Sequence, residues 1–110
     1  MRLDNTIATK IRDCLVALIN PDKIIVFGSY ARGEATEESD VDVAVIASAD
    51  KANRKMLIES RVALRETLRG TGLAIDFVLQ STERFESARQ ECGSLQQVIA
   101  SEGQVIYERC

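Results

Sequence analysis

The stretch from Gly28 to Asp42 constrains this chain more than any other. An apolar run, Ile24 to Phe27, meets a Gly-Ser pair, Gly28-Ser29, and a polar loop follows. Asp40 and Asp42 then stand one residue apart at the head of a second apolar run, Val43 to Ile46. A strand has a side-chain period of two, so both aspartates face the same way. Two carboxylates on one face repel each other unless a cation lies between them. A divalent metal with oxygen ligands, magnesium above all, resolves that conflict. A Gly-Ser turn beside such a site offers a polyphosphate close backbone, N–H donors and a hydroxyl.

What surrounds this stretch narrows the chemistry. The chain has no histidine, which excludes His-ligated zinc, Ser-His-Asp triads and histidine bases. Catalysis then rests on carboxylates, metals, lysine, arginine or hydroxyls. Cys14, Cys92 and Cys110 show no CxxC spacing, and an odd, scattered set fits structural thiols in a reducing cytoplasm. No signal peptide or transmembrane run is visible, so no membrane partner is expected. The net charge of −3 argues against direct nucleic-acid binding. At 110 residues the expectation is one domain, 1–110, with one ordinary core.

The flanking elements follow from periodicity. Asp4 or Asn5 caps a helix to about Ile19, with Ile7, Ile11, Cys14, Leu15 and Leu18 in one apolar stripe. Ile24 to Phe27 reads as a strand buried on both faces. Ser29 is expected to cap a short helical turn through Ala31 or Arg32. Gly33 to Glu38 is a loop, and the second strand starts at the aspartates. Lys51 to Arg69 predicts a long helix ended by Gly70. Leu73 to Leu79 predicts a third buried strand carrying Asp76. Ser81 or Thr82 caps another helix, Ser94 with Gln97 forms a capping box for the last one, and Gln104 to Tyr107 is a final edge strand. The order implies an α/β (α+β) fold, a small mixed β-sheet flanked by helices.

Asp76 lies in Ala74-Ile75-Asp76-Phe77-Val78-Leu79, where both strand faces should be apolar. An ionised carboxylate there costs several kcal/mol unless a cation or strong donors compensate it. It is either a salt-bridged or strand-end aspartate, or a third carboxylate converging on Asp40 and Asp42.

Apolar strand, Gly-Ser, ten residues, Asp-x-Asp, then a third strand with an embedded Asp resembles the nucleotidyltransferase superfamily that includes DNA polymerase β and kanamycin nucleotidyltransferase. More closely, Gly28-Ser29-Tyr30-Ala31-Arg32-Gly33 and Ser39-Asp40-Val41-Asp42 are similar to the minimal nucleotidyltransferases, or MNT proteins. The resemblance implies a polymerase-β-like nucleotidyltransferase fold and two Mg²⁺ ions, with ATP as substrate. Asp40 and Asp42 would bind both metals. Asp76 would bind the catalytic one and help activate an acceptor hydroxyl. Gly28 would admit the triphosphate, and Ser29 would contact its β/γ-phosphates. Arg32 either adds charge near the phosphates or pairs with Glu34 or Glu37.

Larger relatives hold their acceptor with an additional domain for which this chain has no residues to spare, so a partner protein is expected to bring it. MNT proteins pair with HEPN-domain toxins, which implies an antitoxin that transfers AMP to a tyrosine of a ribonuclease toxin. The alternatives are an antitoxin that neutralises by contact alone and a nucleotidyltransferase acting on a small molecule. Arg54, Arg61, Arg65 and Arg69 either dock an acidic surface or form a solvated helix face. Tyr30 either shapes the pocket rim or packs on the first helix.

Overall fold

The computed structural model describes residues 4–36 and 39–109. Glu37, offered above as an Arg32 partner, and Cys110 lie outside the described residues, as does Glu38 at the end of the predicted loop. The elements run α1 (Asn5–Leu18), β1 (Lys23–Phe27), α2 (Gly28–Arg32), β2 (Val41–Ala47), α3 (Arg54–Thr67), β3 (Ile75–Ser81), α4 (Thr82–Ala88), α5 (Leu95–Glu102) and β4 (Gln104–Glu108). The four strands form one mixed sheet in the order β3-β2-β1-β4. β1 is antiparallel to both β2 and β4, and β2 is parallel to β3. Helix α3 makes the crossover that a parallel pair demands.

Strand periodicity sorts the core into two layers. Ile24, Val26, Val41, Val43, Val45 and Phe77 face α1 and α3, meeting Ile11, Leu15, Leu64 and Leu68. Ile25, Phe27, Ala44 and Ile46 face the other way, against Phe85 of α4 and Ile99 of α5. The continuous apolar run of β1 is therefore a central strand, covered on both sides. Asp42 alternates with the second set, so it stands on the α4/α5 face at the start of β2.

Most helix signals take effect where the residues place them. Asp4 accepts from Thr6 N at 2.6 Å to start α1. Ser81 accepts from Arg84 N at 3.2 Å to start α4. Ser94 accepts from Gln97 N at 3.0 Å, while the Gln97 side chain accepts from Gly93 N at 2.9 Å, one residue short of a full capping box.

Three expectations are corrected. Ser29 caps nothing: α2 begins at Gly28 after an extended Phe27 that makes no side-chain cap. Helix α3 starts at Arg54 rather than Lys51, because Asn53 accepts from Met56 N at 2.9 Å and sets the boundary. β3 is an edge strand, half-buried along most of its length, with Asp76 exposed. The burial cost assigned to Asp76 from its apolar neighbours therefore does not arise.

Gly103 joins α5 to β4 in a tight corner. A methyl group there would overlap Ile25 Cγ2 and the Ile99 carbonyl oxygen. The carbonyl belongs to the helix backbone and has little room to yield. Gly103→Ala is expected to lower stability by roughly 1–3 kcal/mol, read as a lower urea midpoint at unchanged slope.

Candidate active site

The site is assembled at one end of the three strands β1, β2 and β3. In the ladders, Phe27 pairs with Asp42 on one side, and Asp42 pairs with Asp76 on the other. Neighbouring strands lie about 4.8 Å apart, so the register sets two carboxylates side by side. Alternation puts Asp76 on the Asp42 face, because Ile75 and Phe77 turn to the α1/α3 layer. Asp40, two residues before Asp42, precedes the strand and is exposed.

These carboxylates sense one another. The Asp42 carboxyl is held above the ordinary carboxylate range, first by burial, then by the charges of Asp76 and Asp40. Asp76 approaches closely enough to share a hydrogen bond with it, and Arg32 opposes the shift only weakly. Among the described residues no three acidic or thiol groups are gathered into a ready cation cage. The arrangement is a close Asp42–Asp76 pair with Asp40 at electrostatic range.

Gly28 completes the opposite flank. Its φ is +72°, a conformation that glycine adopts without strain. A Cβ at this position would lie 3.0 Å from Asp42 Cγ and overlap Asp42 Oδ2. The missing side chain thus leaves room that the Asp42 carboxylate itself occupies, against the Gly28 backbone. Ser29 follows in the first turn of α2, and its hydroxyl has no hydrogen-bond partner among the described residues. Its carbonyl accepts from Glu34 N at 2.9 Å and folds the loop back over α2.

Arg32 is engaged on both sides. Its guanidinium meets Glu102 at 2.9 Å and Glu34 at 3.2 Å. These contacts, Glu102 first, raise its pKa further. Glu34 is one of the two partners the sequence offered. Glu102, 70 residues away in the chain, was invisible to local pattern. Gln104 adds a second brace, donating from Nε2 to the Ala31 carbonyl at 3.3 Å. The end of α5 and the start of β4 therefore fix the short helix behind Gly28-Ser29. Tyr30 is buried at 3% exposure in the layer that holds Ile11 and Leu15, so it belongs to the core and does not form a pocket rim.

A Gly-Ser turn, a central acidic strand and a flanking acidic strand thus lie together at one end of the sheet. Residues 8–106 match the family model described as Nucleotidyltransferase domain. The chain belongs to this nucleotidyltransferase family. A candidate protein adenylyltransferase of Methanocaldococcus jannaschii, MJ0604, is 35% identical over 85 residues, covering 77% of each chain. A crystal structure of a toxin–antitoxin with AMP-PNP aligns with 93% of this chain and 73% of its own, at a TM-score of 0.68 and 27% identity. The structure of a candidate nucleotidyltransferase from Sulfolobus solfataricus, at 16% identity and a TM-score of 0.54, shares the fold over 93% of this chain and 77% of its own. The nucleotidyltransferase sheet described above, mixed and flanked by helices, is thus the family's. No helix of the described residues is long and apolar enough to cross a membrane.

Proposed function

We propose that this nucleotidyltransferase transfers AMP from ATP to a hydroxyl of a partner protein, a tyrosine of a HEPN-type ribonuclease toxin, and so acts as its antitoxin. The observation that carries the reading is the placement of Asp42 between the bare Gly28 backbone and Asp76. The resemblance of the motif to MNT proteins supports the partner, as do the protein adenylyltransferase relative and the toxin–antitoxin neighbour.

The donor set suits magnesium. It is all carboxylate oxygen, hard, acidic and partly desolvated, with Asp42 already reluctant to carry an uncompensated charge. Asp40 and Asp42 would hold two ions, with Asp76 completing the set. Bound there, divalent ions supply charge that polarises the α-phosphate, promotes ionisation of the acceptor and neutralises pyrophosphate.

The chain's own residues do the rest. Gly28 lets the backbone approach the triphosphate, and the free Ser29 hydroxyl and the amides of the turn donate to its outer phosphates. The acceptor oxygen bonds to the α-phosphorus. The bond from that phosphorus to the bridging oxygen breaks, and pyrophosphate leaves with the electron pair. The hydroxyl proton passes to an Asp76 carboxylate oxygen, which is exposed and open to the incoming group. Arg32 reaches phosphate only by releasing Glu102, so it acts first as the brace of α2.

Intact mass of a co-expressed HEPN partner, purified with ATP and Mg²⁺, tests the reading. Addition of one or more AMP units is expected. Tight association with no added mass would replace transfer by neutralisation through contact.

A further inference from the structure

From the sheet order and the free charges beside it, we infer that the groove between α3 and the outer edge of β3 seats an extended, acidic segment of the acceptor protein. The inference rests on the transfer reading above and adds the route by which the acceptor arrives. Gly28-Ser29 and Asp76 lie on opposite flanks of Asp42, because β1 and β3 are its two neighbours. Attacking and leaving oxygens stand roughly in line in phosphoryl transfer. With pyrophosphate at the Gly28 flank, the acceptor enters over β3.

A groove of about 570 Å³ opens there, lined by Arg61, Leu64, Arg65, Leu68, Leu73 and Asp76 among others. Asp76 lines the groove at the strand edge, while alternation turns its carboxylate toward the Asp42 face, so the groove leads past the edge of β3 to the carboxylates. The outer edge of β3 pairs with no strand among the described residues, so an extended chain can lie along it. The charges select what lies there. Arg69 is tied to Glu66 at 2.5 Å and Lys55 to Glu59 at 4.0 Å. Arg61 and Arg65 form no ion pair among the described residues, and both line the groove. Two uncommitted guanidinium groups on a chain of net charge −3 form a local basic site that fits carboxylates. On the same face of α3, Ile58 and Val62 are 49% and 51% exposed, at the i, i+4 spacing that makes a continuous patch. The segment that fits is acidic, with an apolar residue for this patch and a hydroxyl that reaches around the edge of β3 to Asp76.

The probes are two short fluorescent peptides, each with one tyrosine and one leucine, flanked by glutamates in one and lysines in the other. The wild-type protein is expected to bind the glutamate peptide about tenfold more tightly than its counterpart at low salt, with the advantage shrinking as salt rises. Arg61→Glu/Arg65→Glu is expected to reverse the preference while its affinity for ATP with Mg²⁺ is kept. Arg61→Ala, with a far-ultraviolet spectrum and melting point matching wild type, gives an intermediate loss. Equal binding of both peptides, or an undiminished preference in the double variant, overturns the inference. So does loss of ATP affinity, which would assign the arginines to the nucleotide. Peptide preference without AMP addition to any protein acceptor keeps the groove and removes the transfer reading. AMP transfer to the HEPN partner that is indifferent to both arginines does the reverse.

Discussion

Asp42→Ala is expected to abolish AMP transfer, by roughly a thousandfold or more, and to leave the sheet intact. The side chain sits between Gly28 and Asp76, so no other carboxylate can take its place. The same crowding makes it a liability for folding. Burial and the two neighbouring aspartates raise the Asp42 pKa, so in metal-free solution the folded state holds that proton more tightly than the unfolded chain. Stability then falls as pH rises from the unfolded value, near 3.8, through the raised folded value, and the deficit persists at neutral pH. Asp42→Ala removes the deficit. Its melting point in chelator at pH 7 is expected to match or exceed that of wild type. Added Mg²⁺ is expected to raise the melting point of wild type but not of the variant, by mass action on the folded state. Retained transfer by a folded Asp42→Ala protein would remove Asp42 from its assigned role, and an unfolded one would show that the side chain supports the fold.

Gly28→Ala is expected to have the second largest effect, on both stability and activity. An alanine at a φ of +72° costs about 1–2 kcal/mol for the left-handed backbone alone. The overlap with Asp42 Oδ2 adds a steric cost that can be relieved only by turning the carboxylate out of the site. A double-mutant cycle separates the two. In an Asp42→Ala background the overlapping atom is gone, and the nearest remaining contact is Asp42 Cβ at 3.4 Å, an ordinary distance. Gly28→Ala should then cost only the backbone term, and the cycle should show a coupling of about 1–2 kcal/mol. Simple additivity in urea denaturation would mean that Gly28 serves backbone conformation alone. Either single variant should lose transfer, because one displaces the carboxylate that the other deletes.

The sequence made the order of elements legible, because apolar runs of four to seven residues alternate with helical stripes and are punctuated by Gly, Asn-Pro and Ser. Spacing made Gly28, Asp40 and Asp42 legible together, left Asp76 open between an ion-paired aspartate and a third carboxylate, and only the resemblance to nucleotidyltransferases joined Asp76 to the others. The sequence misjudged the setting of Asp76. Leu73 to Leu79 looks like an interior strand, but its outer edge pairs with no strand among the described residues, and most of its side chains are only half-buried: Ile75, Phe77 and Leu79 meet the layer under α3, and Val78 meets the layer of Phe85. A run of hydrophobic residues reports how many side chains meet a core and says nothing of where the strand lies in the sheet. Ser29 was misjudged because a cap needs a residue ahead of the helix, and here the glycine itself opens the first turn. The Arg32–Glu102 pair and the Gln104 brace join residues far apart in the chain, and no local periodicity carries them. The arginines of α3 and its C-terminal end divide by partner: Arg69 pairs with Glu66, one turn before it, and no ion pair meets Arg61 or Arg65 among the described residues.

The parallel ladder from Val41–Ile75 to Ala47–Ser81 has a bearing on how such a molecule fails. Asp76 meets Asp42 only because its neighbour Phe77 is lodged inward, at 4% exposure. A slip of one position along this outer strand would send the aspartate to the wrong side while keeping most of the hydrogen bonds. Such a chain would still look folded to a spectrometer and would be inert, so the anchoring of one aromatic ring keeps the chemistry in register.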